Sequence, residues 1–155
     1  VQKFAQASQH MPMLILTDLD NRECAPTLLD DWMGRVSFEA PDLHIRVAVR
    51  EVEAWLIADI ENLRHLLQRP GLQAPSECDD IGDPKAWLLN EAARAPRAIQ
   101  SQLLRRDGTN LRQGLGYNNI LSNFVENDWQ PEHAATRSDS LRRTIDAIRR
   151  LAERT

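Results

Sequence analysis

Apolar positions recur along this chain with two different periods, and the changes between them mark its elements. "MLILT" (13–17) is a short unbroken apolar run bounded by Pro12 and Asp18, the pattern of a strand buried on both faces. "DLHIRVAVR" (42–50) alternates instead, with Leu43, Ile45, Val47 and Val49 set against His44, Arg46 and Ala48, and predicts a second strand. Between them "APTLLDDWMGRV" aligns Leu28, Leu29, Trp32 and Met33 on one helical face, with Pro26 in the first turn and Gly34 near the stop. Strand, crossover helix and strand make a βαβ unit, whose strands are expected to be parallel and its crossover right-handed.

Beyond residue 50 the period returns to three and four. "EVEAWLIADIENLRHLLQR" aligns Val52, Trp55, Leu56, Ile60, Leu63 and Leu67, and Asp59 is placed to cap a second helical segment. Residues 70–84 are rich in Pro, Gly, Ser and Asp and read as a loop, ending on Asp83 and Pro84 in cap and first-turn positions. The next stretch predicts a helix interrupted at Pro96 and a shorter one stopped at Gly108. Two more helices follow: Ile120, Leu121, Phe124 and Val125 share one face, and Leu141, Ile145, Ile148 and Leu151 share another after Ser138. The expected organisation is an α/β core over residues 1–69 with a helical extension, 70–155, packed on it.

The opening "VQKFAQAS" has helical spacing at Val1, Phe4, Ala5 and Ala7 but no cap. It reads either as a frayed terminal helix or as a start inside a helix whose preceding strand is absent. A sheet of two strands is marginal alone, which favours the second reading.

Composition narrows the function classes. With 155 residues and 42% apolar content the chain is long enough for a real core. Nineteen Lys and Arg against 23 Asp and Glu leave a net charge of -4, so no global basic field announces nucleic acid or membrane, although a local basic face is compatible with it. No apolar run reaches bilayer length and no secretory leader is present in the sequence given, so a cytoplasmic location and no membrane partner are expected. Cys24 and Cys78 lack metal-ligand spacing and read as free thiols.

The chemistry concentrates where strands end. Asp18 and Asp20 close the first strand at the edge where open α/β sheets bind ligands. In an extended segment positions i and i+2 point the same way, so both carboxylates would converge on one hard cation, Mg²⁺ or Mn²⁺. The bland alternative is a pair of solvated loop acids. "REVEAW" (50–55) leaves the second strand at the same edge. Glu51 and Glu53 are there either as acids favoured by a helix N-terminus or as a metal ligand and general base. Arg50 suits a phosphate or a neighbouring acid, and Trp55 belongs to the apolar stripe.

"LILTDLDNREC", followed by "LHIRVAVREVEAWLIAD", resembles the TOPRIM-like domains of an uncharacterised bacterial family. That family is related to the nuclease domains of overcoming-lysogenization-defect proteins and, more distantly, to topoisomerases and primases. The resemblance covers roughly residues 11 to 60. It implies a parallel sheet with flanking helices, Mg²⁺ or Mn²⁺ at Asp18, Asp20 and Glu51, catalytic roles for Asp18, Asp20, Glu51 and Glu53, and phosphate contact by Arg50. It also implies a phage-defence or mobile-element setting. The family's upstream Glu motif has no counterpart in this chain, so weak or no cleavage is expected from the chain alone. Two functions stay open: a Mg²⁺-dependent nuclease or phosphodiester-transfer domain, and a non-catalytic nucleic-acid or protein-interaction module on the same scaffold.

Three weaker features remain. "GLGYNN" (114–119) is either a turn presenting Tyr117 and Asn118 to a nucleic acid or a helix lead-in capped by Asn118 or Asn119. Arg142, Arg143, Arg149, Arg150 and Arg154 lie opposite the last apolar stripe, as a solvated face or one that follows a phosphate backbone. His10, His44, His65 and His133 have no ligand-like spacing.

Overall fold

The computed structural model describes residues 1–153; Arg154 of the predicted basic face lies outside them. A short helix α1 (Gln2–Ala7) precedes strand β1 (Met13–Asp18), helix α2 (Ala25–Met33) and strand β2 (Leu43–Ala48). The two strands are parallel, in register from Met13↔Leu43 to Asp18↔Ala48. Helix α2 starts with Pro26 in its first turn and stops at Gly34, whose N–H donates to the Asp30 carbonyl at 2.8 Å. It covers one sheet face, where Leu29 and Trp32 meet Ile15 and Ile45.

The other face is covered unevenly. Helix α9 (Asp139–Ala152) packs on β2, whereas Leu14 and Leu16 of β1 are 42% and 50% exposed. The unbroken apolar run therefore misreads β1 as buried on both faces. Among the described residues β1 pairs with β2 alone and keeps a free edge.

The larger core lies in the helices. Helices α3 (Glu53–Ala58) and α4 (Ile60–Leu67) break at Asp59, as the sequence predicts. Asp59 is the N-cap of α4, but its side chain makes no capping bond: its carboxylate accepts from Asn62 Nδ2 at 2.9 Å and from the Gln130 N–H at 2.7 Å, tying the break to the segment before α8 (Pro131–Ala134). After a 3₁₀ turn at Cys78–Asp80 come α5 (Pro84–Ala92), α6 (Arg97–Leu103) and α7 (Tyr117–Asn127). Their Leu88, Leu103 and Phe124 close over Ile57, Leu63 and Leu67, all nearly or fully buried. Cys78 is enclosed in the same cluster, and burial pushes its thiol up to about 11, so it stays protonated and inert. No helix among the described residues is long and apolar enough to cross a membrane.

The region after residue 70 is not all helical. Residues 104–113 form an antiparallel hairpin, β3 (Leu104–Asp107) and β4 (Asn110–Gln113), where helix up to Gly108 is expected from the sequence. Gly108 does not stop a helix; it takes φ 60° at the first position of a two-residue turn, and Thr109 does not share its positive φ, the pattern of a II′ hairpin. Leu104 and Leu111 pack on the helical core, which holds the ribbon down on one face. Helix α7 also starts earlier than expected: Gly116 is its N-cap, and Asn118 and Asn119 lie inside its first turn.

Candidate functional site

At the carboxyl end of the parallel pair the two segments stay joined past the strands. The Leu19 N–H donates to the Ala48 carbonyl at 2.9 Å and the Asp20 N–H to the Arg50 carbonyl at 2.7 Å. Asp20 adopts φ 52°, the left-handed conformation that Asp tolerates better than most residues. The strand has ended by then, so the i, i+2 alternation does not extend from Asp18 to Asp20. Arg50 donates to the carbonyls of Asp20 at 3.3 Å and Arg22 at 2.8 Å, and so braces the loop that carries Asp20.

Asp18 turns toward the start of α3, where its carboxylate accepts the Val52 N–H at 2.8 Å. Burial raises its pKa; the Val52 bond opposes this, and the nearby charges of Glu53 and Asp20 add to the rise. Glu51 stands just ahead of that helix and reaches across to α5, accepting the Lys85 N–H at 2.9 Å. Asp83 accepts the Ala86 N–H at 2.7 Å, so two acids take two of the N–H groups that a helix start leaves open. The first-turn location of Glu51 in the sequence thus has a different cause: it caps α5 rather than its own helix.

Lys85 draws the acids together. Its ammonium lies 3.7 Å from Glu51 Oε1 and 3.5 Å from Glu53 Oε1. Burial alone would lower its pKa, but Glu53 and Glu51 outweigh that and hold it above the usual lysine value. Glu53 is buried, with 7% of its side chain exposed, and accepts a hydrogen bond from Tyr117 Oη at 3.0 Å. Burial, and then the charge of Glu53, keep that phenol protonated well beyond its ordinary range. Trp55 is core, as the stripe predicts, and donates from Nε1 to Ser140 Oγ at 2.8 Å.

The structure therefore brings Glu51 and Glu53 onto Lys85 and sets Asp18 against the start of the same helix, close enough for the charges of Glu53, Asp20 and Lys85 to act on it. Sequence reading misses the lysine and the part played by Tyr117. The signal for Lys85 is faint: it follows the Asp83-Pro84 helix start, where an ammonium is not favoured by the helix dipole. A cation has to be held there by something else, and the two glutamates hold it.

Four carboxylates against one ammonium leave surplus negative charge, and hard oxygen donors suit Mg²⁺ or Mn²⁺. The donor chemistry fits such an ion. Among the described residues, however, no three Asp, Glu, His or Cys side chains are grouped closely enough to hold one as they stand. Comparison of the chain with protein families, curated proteins and solved structures yields no match. The reading of the site therefore stands on its own geometry.

Proposed function

We propose that the chain carries a Mg²⁺- or Mn²⁺-dependent phosphodiester site of TOPRIM-like type acting on nucleic acid. The observation that carries this reading is the meeting of Asp18, Glu51, Glu53 and Lys85, from three separate segments, at the carboxyl end of a parallel strand pair. Asp18 and Glu53 are the residues that would hold the ion, with Asp20 adding charge. When bound, the ion would supply charge stabilisation at the phosphoryl oxygens. Glu51 positions Lys85 through two contacts, to its N–H and its ammonium. The ammonium is then fixed beside the carboxylates, where it can neutralise an oxygen that becomes negative as a bond to phosphorus breaks. Tyr117, itself protonated, fixes Glu53 by donating to it.

A second reading, a non-catalytic interaction module, is favoured by one feature. Lys85 already compensates Glu51 and Glu53, so part of the cluster is satisfied as a structural ion pair.

Cleavage of labelled single- and double-stranded DNA and RNA separates the two. The phosphodiester reading predicts slow, strictly Mg²⁺- or Mn²⁺-dependent cleavage. Asp18→Asn with Glu53→Gln abolishes it, and Lys85→Met lowers it by roughly 100-fold, the scale of one lost charge-stabilising group. Absence of metal-dependent cleavage, or cleavage that survives Asp18→Asn with Glu53→Gln, would leave the interaction module.

A further inference from the structure

The β3–β4 hairpin stands beside the acid cluster and shares a cleft with it. The cleft, of about 610 Å³, has Glu51, Asp83 and Lys85 on one wall and Arg106, Arg112 and Gln113 of the hairpin on the other. Arg106 also borders a second depression with Arg97 of α6, so the basic surface continues away from the acids. Between residues 97 and 117 there are four arginines and a single acid, Asp107, in a chain whose net charge is -4.

Two features show that these arginines are not there to hold the ribbon together. Arg105 and Arg112 face each other directly across the strands, an arrangement of like charges that weakens a two-stranded ribbon. Counter-charge in contact is also scarce: among the described residues the one acid within ion-pair distance of an arginine of the ribbon is Asp107, 3.9 Å from Arg112, and both partners are more than half exposed. Anchoring comes from elsewhere. Leu104 and Leu111 pack on the core, and the chain after the ribbon is bonded back to α6 through Gly114 N–H to the Leu103 carbonyl at 2.8 Å and Gly116 N–H to the Gln102 carbonyl at 3.1 Å. The ribbon is thus a fixed support for guanidinium groups that have almost nothing of their own to neutralise.

We infer that the hairpin is a phosphate-backbone clamp. Arg106 and Arg112 would take phosphates of a nucleic-acid strand lying in the cleft, so that a neighbouring phosphodiester sits over Lys85 and the acids, and Arg105, the cross-strand neighbour of Arg112, would extend the basic surface beside it. This rests on the phosphodiester reading above for the kind of ligand the site receives. The guanidinium fork matches phosphate oxygens in pairs. The cleft opens on the acid cluster at Glu51 and Lys85, so a strand held by the arginines runs toward those groups. The acid wall would repel the same strand without the basic one opposite.

The test is fluorescence anisotropy of the full chain with labelled single- and double-stranded DNA and RNA, in EDTA, across a range of salt. Wild-type chain should bind at least one of these polyanions with a steep salt dependence. The variant Arg105→Gln, Arg106→Gln, Arg112→Gln should bind at least about tenfold more weakly at low salt and lose about two to three from the salt slope, at close to 0.7–0.9 per phosphate contact. Replacing the same three by Lys should retain the slope, which guards against a folding artefact. Neutralising Arg142, Arg143 and Arg149 instead should change affinity by less than about twofold, since those arginines already have acids. Equal binding by the hairpin variant and wild type would overturn the inference, as would binding to anionic phospholipid vesicles but to no nucleic acid. The two proposals fail separately. Metal-free binding should survive Asp18→Asn with Glu53→Gln, so hairpin-dependent binding without cleavage would remove the catalytic reading and leave the clamp. Cleavage by the hairpin variant with unchanged KM would remove the clamp and leave the catalytic reading.

Discussion

Helix α9 and the β3–β4 hairpin both present arginines at high density, and their surroundings are opposite. On α9, Arg142 pairs with Asp139 and lies 3.9 Å from Asp146, Arg143 lies 2.6 Å from Asp139, and Arg149 lies 3.5 Å from Glu132 and 3.9 Å from Asp146. Four of these five pairs come from i, i+3 and i, i+4 spacing within the helix, and its N-terminal end is equally well provided for. Ser138 caps α9 by accepting the Leu141 N–H at 3.2 Å, and Asp79 takes the Ser138 hydroxyl and the Ser140 N–H, each at 2.7 Å. On the hairpin Arg105 and Arg112 oppose one another across the strands, Arg106 lies opposite Leu111, and among the described residues the one acid within ion-pair distance is Asp107, at Arg112. A count of basic residues would favour α9 as the anionic-ligand face. Pairing reverses that ranking, because a ligand phosphate at Arg142, Arg143 or Arg149 must displace a carboxylate and one at Arg105 or Arg106 need not.

The largest effect should come from disturbing the hairpin's support. A Cβ at Gly114 would stand 2.6 Å from the Gln102 carbonyl oxygen and 2.8 Å from the Leu104 nitrogen, both backbone atoms that cannot swing away. Gly114→Ala should therefore destabilise the chain by about 1–3 kcal/mol, the range for overpacking. At about 2–4 °C per kcal/mol this is visible in thermal unfolding, and nucleic-acid affinity should fall with it. An unchanged Tm would mean that the ribbon is not anchored there.

Ser138→Ala is the matching change on α9. Loss of the cap should lower stability by about 1 kcal/mol in denaturant unfolding and leave nucleic-acid affinity alone. A fall in affinity would bring α9 back as a ligand face.

Neutralising Asp18 works on the acid wall and should act in the opposite sense. Its pKa is raised in the folded chain, first by burial, so the folded state binds the proton more tightly than the unfolded one. Its ionisation therefore opposes folding as pH rises above the ordinary carboxylate range, and the penalty disappears on acidification. Asp18→Asn keeps an acceptor for the Val52 N–H. It should raise Tm modestly at pH 7, by an amount that shrinks toward pH 4. A Tm lowered at pH 7 would show that the carboxylate is better compensated than its surroundings suggest.

The smallest effect should be at Arg143, whose side chain is 74% exposed. Arg143→Gln should change stability by less than about 0.5 kcal/mol, a result that sharpens the contrast if hairpin substitutions alter binding strongly.

What the sequence makes legible follows from where its signals are local. The parallel strands, the α2 boundaries at Pro26 and Gly34, the break at Asp59, the Asp83 cap and the helix start after Ser138 are each written within a few residues, and each is found. The hairpin is missed because "LLRRDGTNLRQ" follows directly on a helix, and Gly108, which opens its Gly-Thr turn, reads as a helix stop when the preceding period is three to four. Exposure of Leu14 and Leu16 is invisible for another reason: it depends on how far α9 reaches across the sheet. At the site, Asp18, Glu51 and Glu53 are legible as acids leaving one sheet edge. Lys85 lies 32 residues beyond Glu53, a partnership made only when α5 packs against α3.

The divalent-cation site proposed at Asp18 and Glu53 is what separates an acid cluster with a ligand from one that is merely ion-paired to Lys85. Titration of the full chain with Mn²⁺, followed by calorimetry and by the loss of free-ion paramagnetic resonance signal, tests it most directly. Binding should be saturable and should weaken at least about tenfold in Asp18→Asn with Glu53→Gln, the lower end of losses seen on disturbing metal sites. It should tighten in Lys85→Met, where a competing ammonium is gone. Absence of saturable binding, or binding that neither substitution changes, would contradict the proposed site.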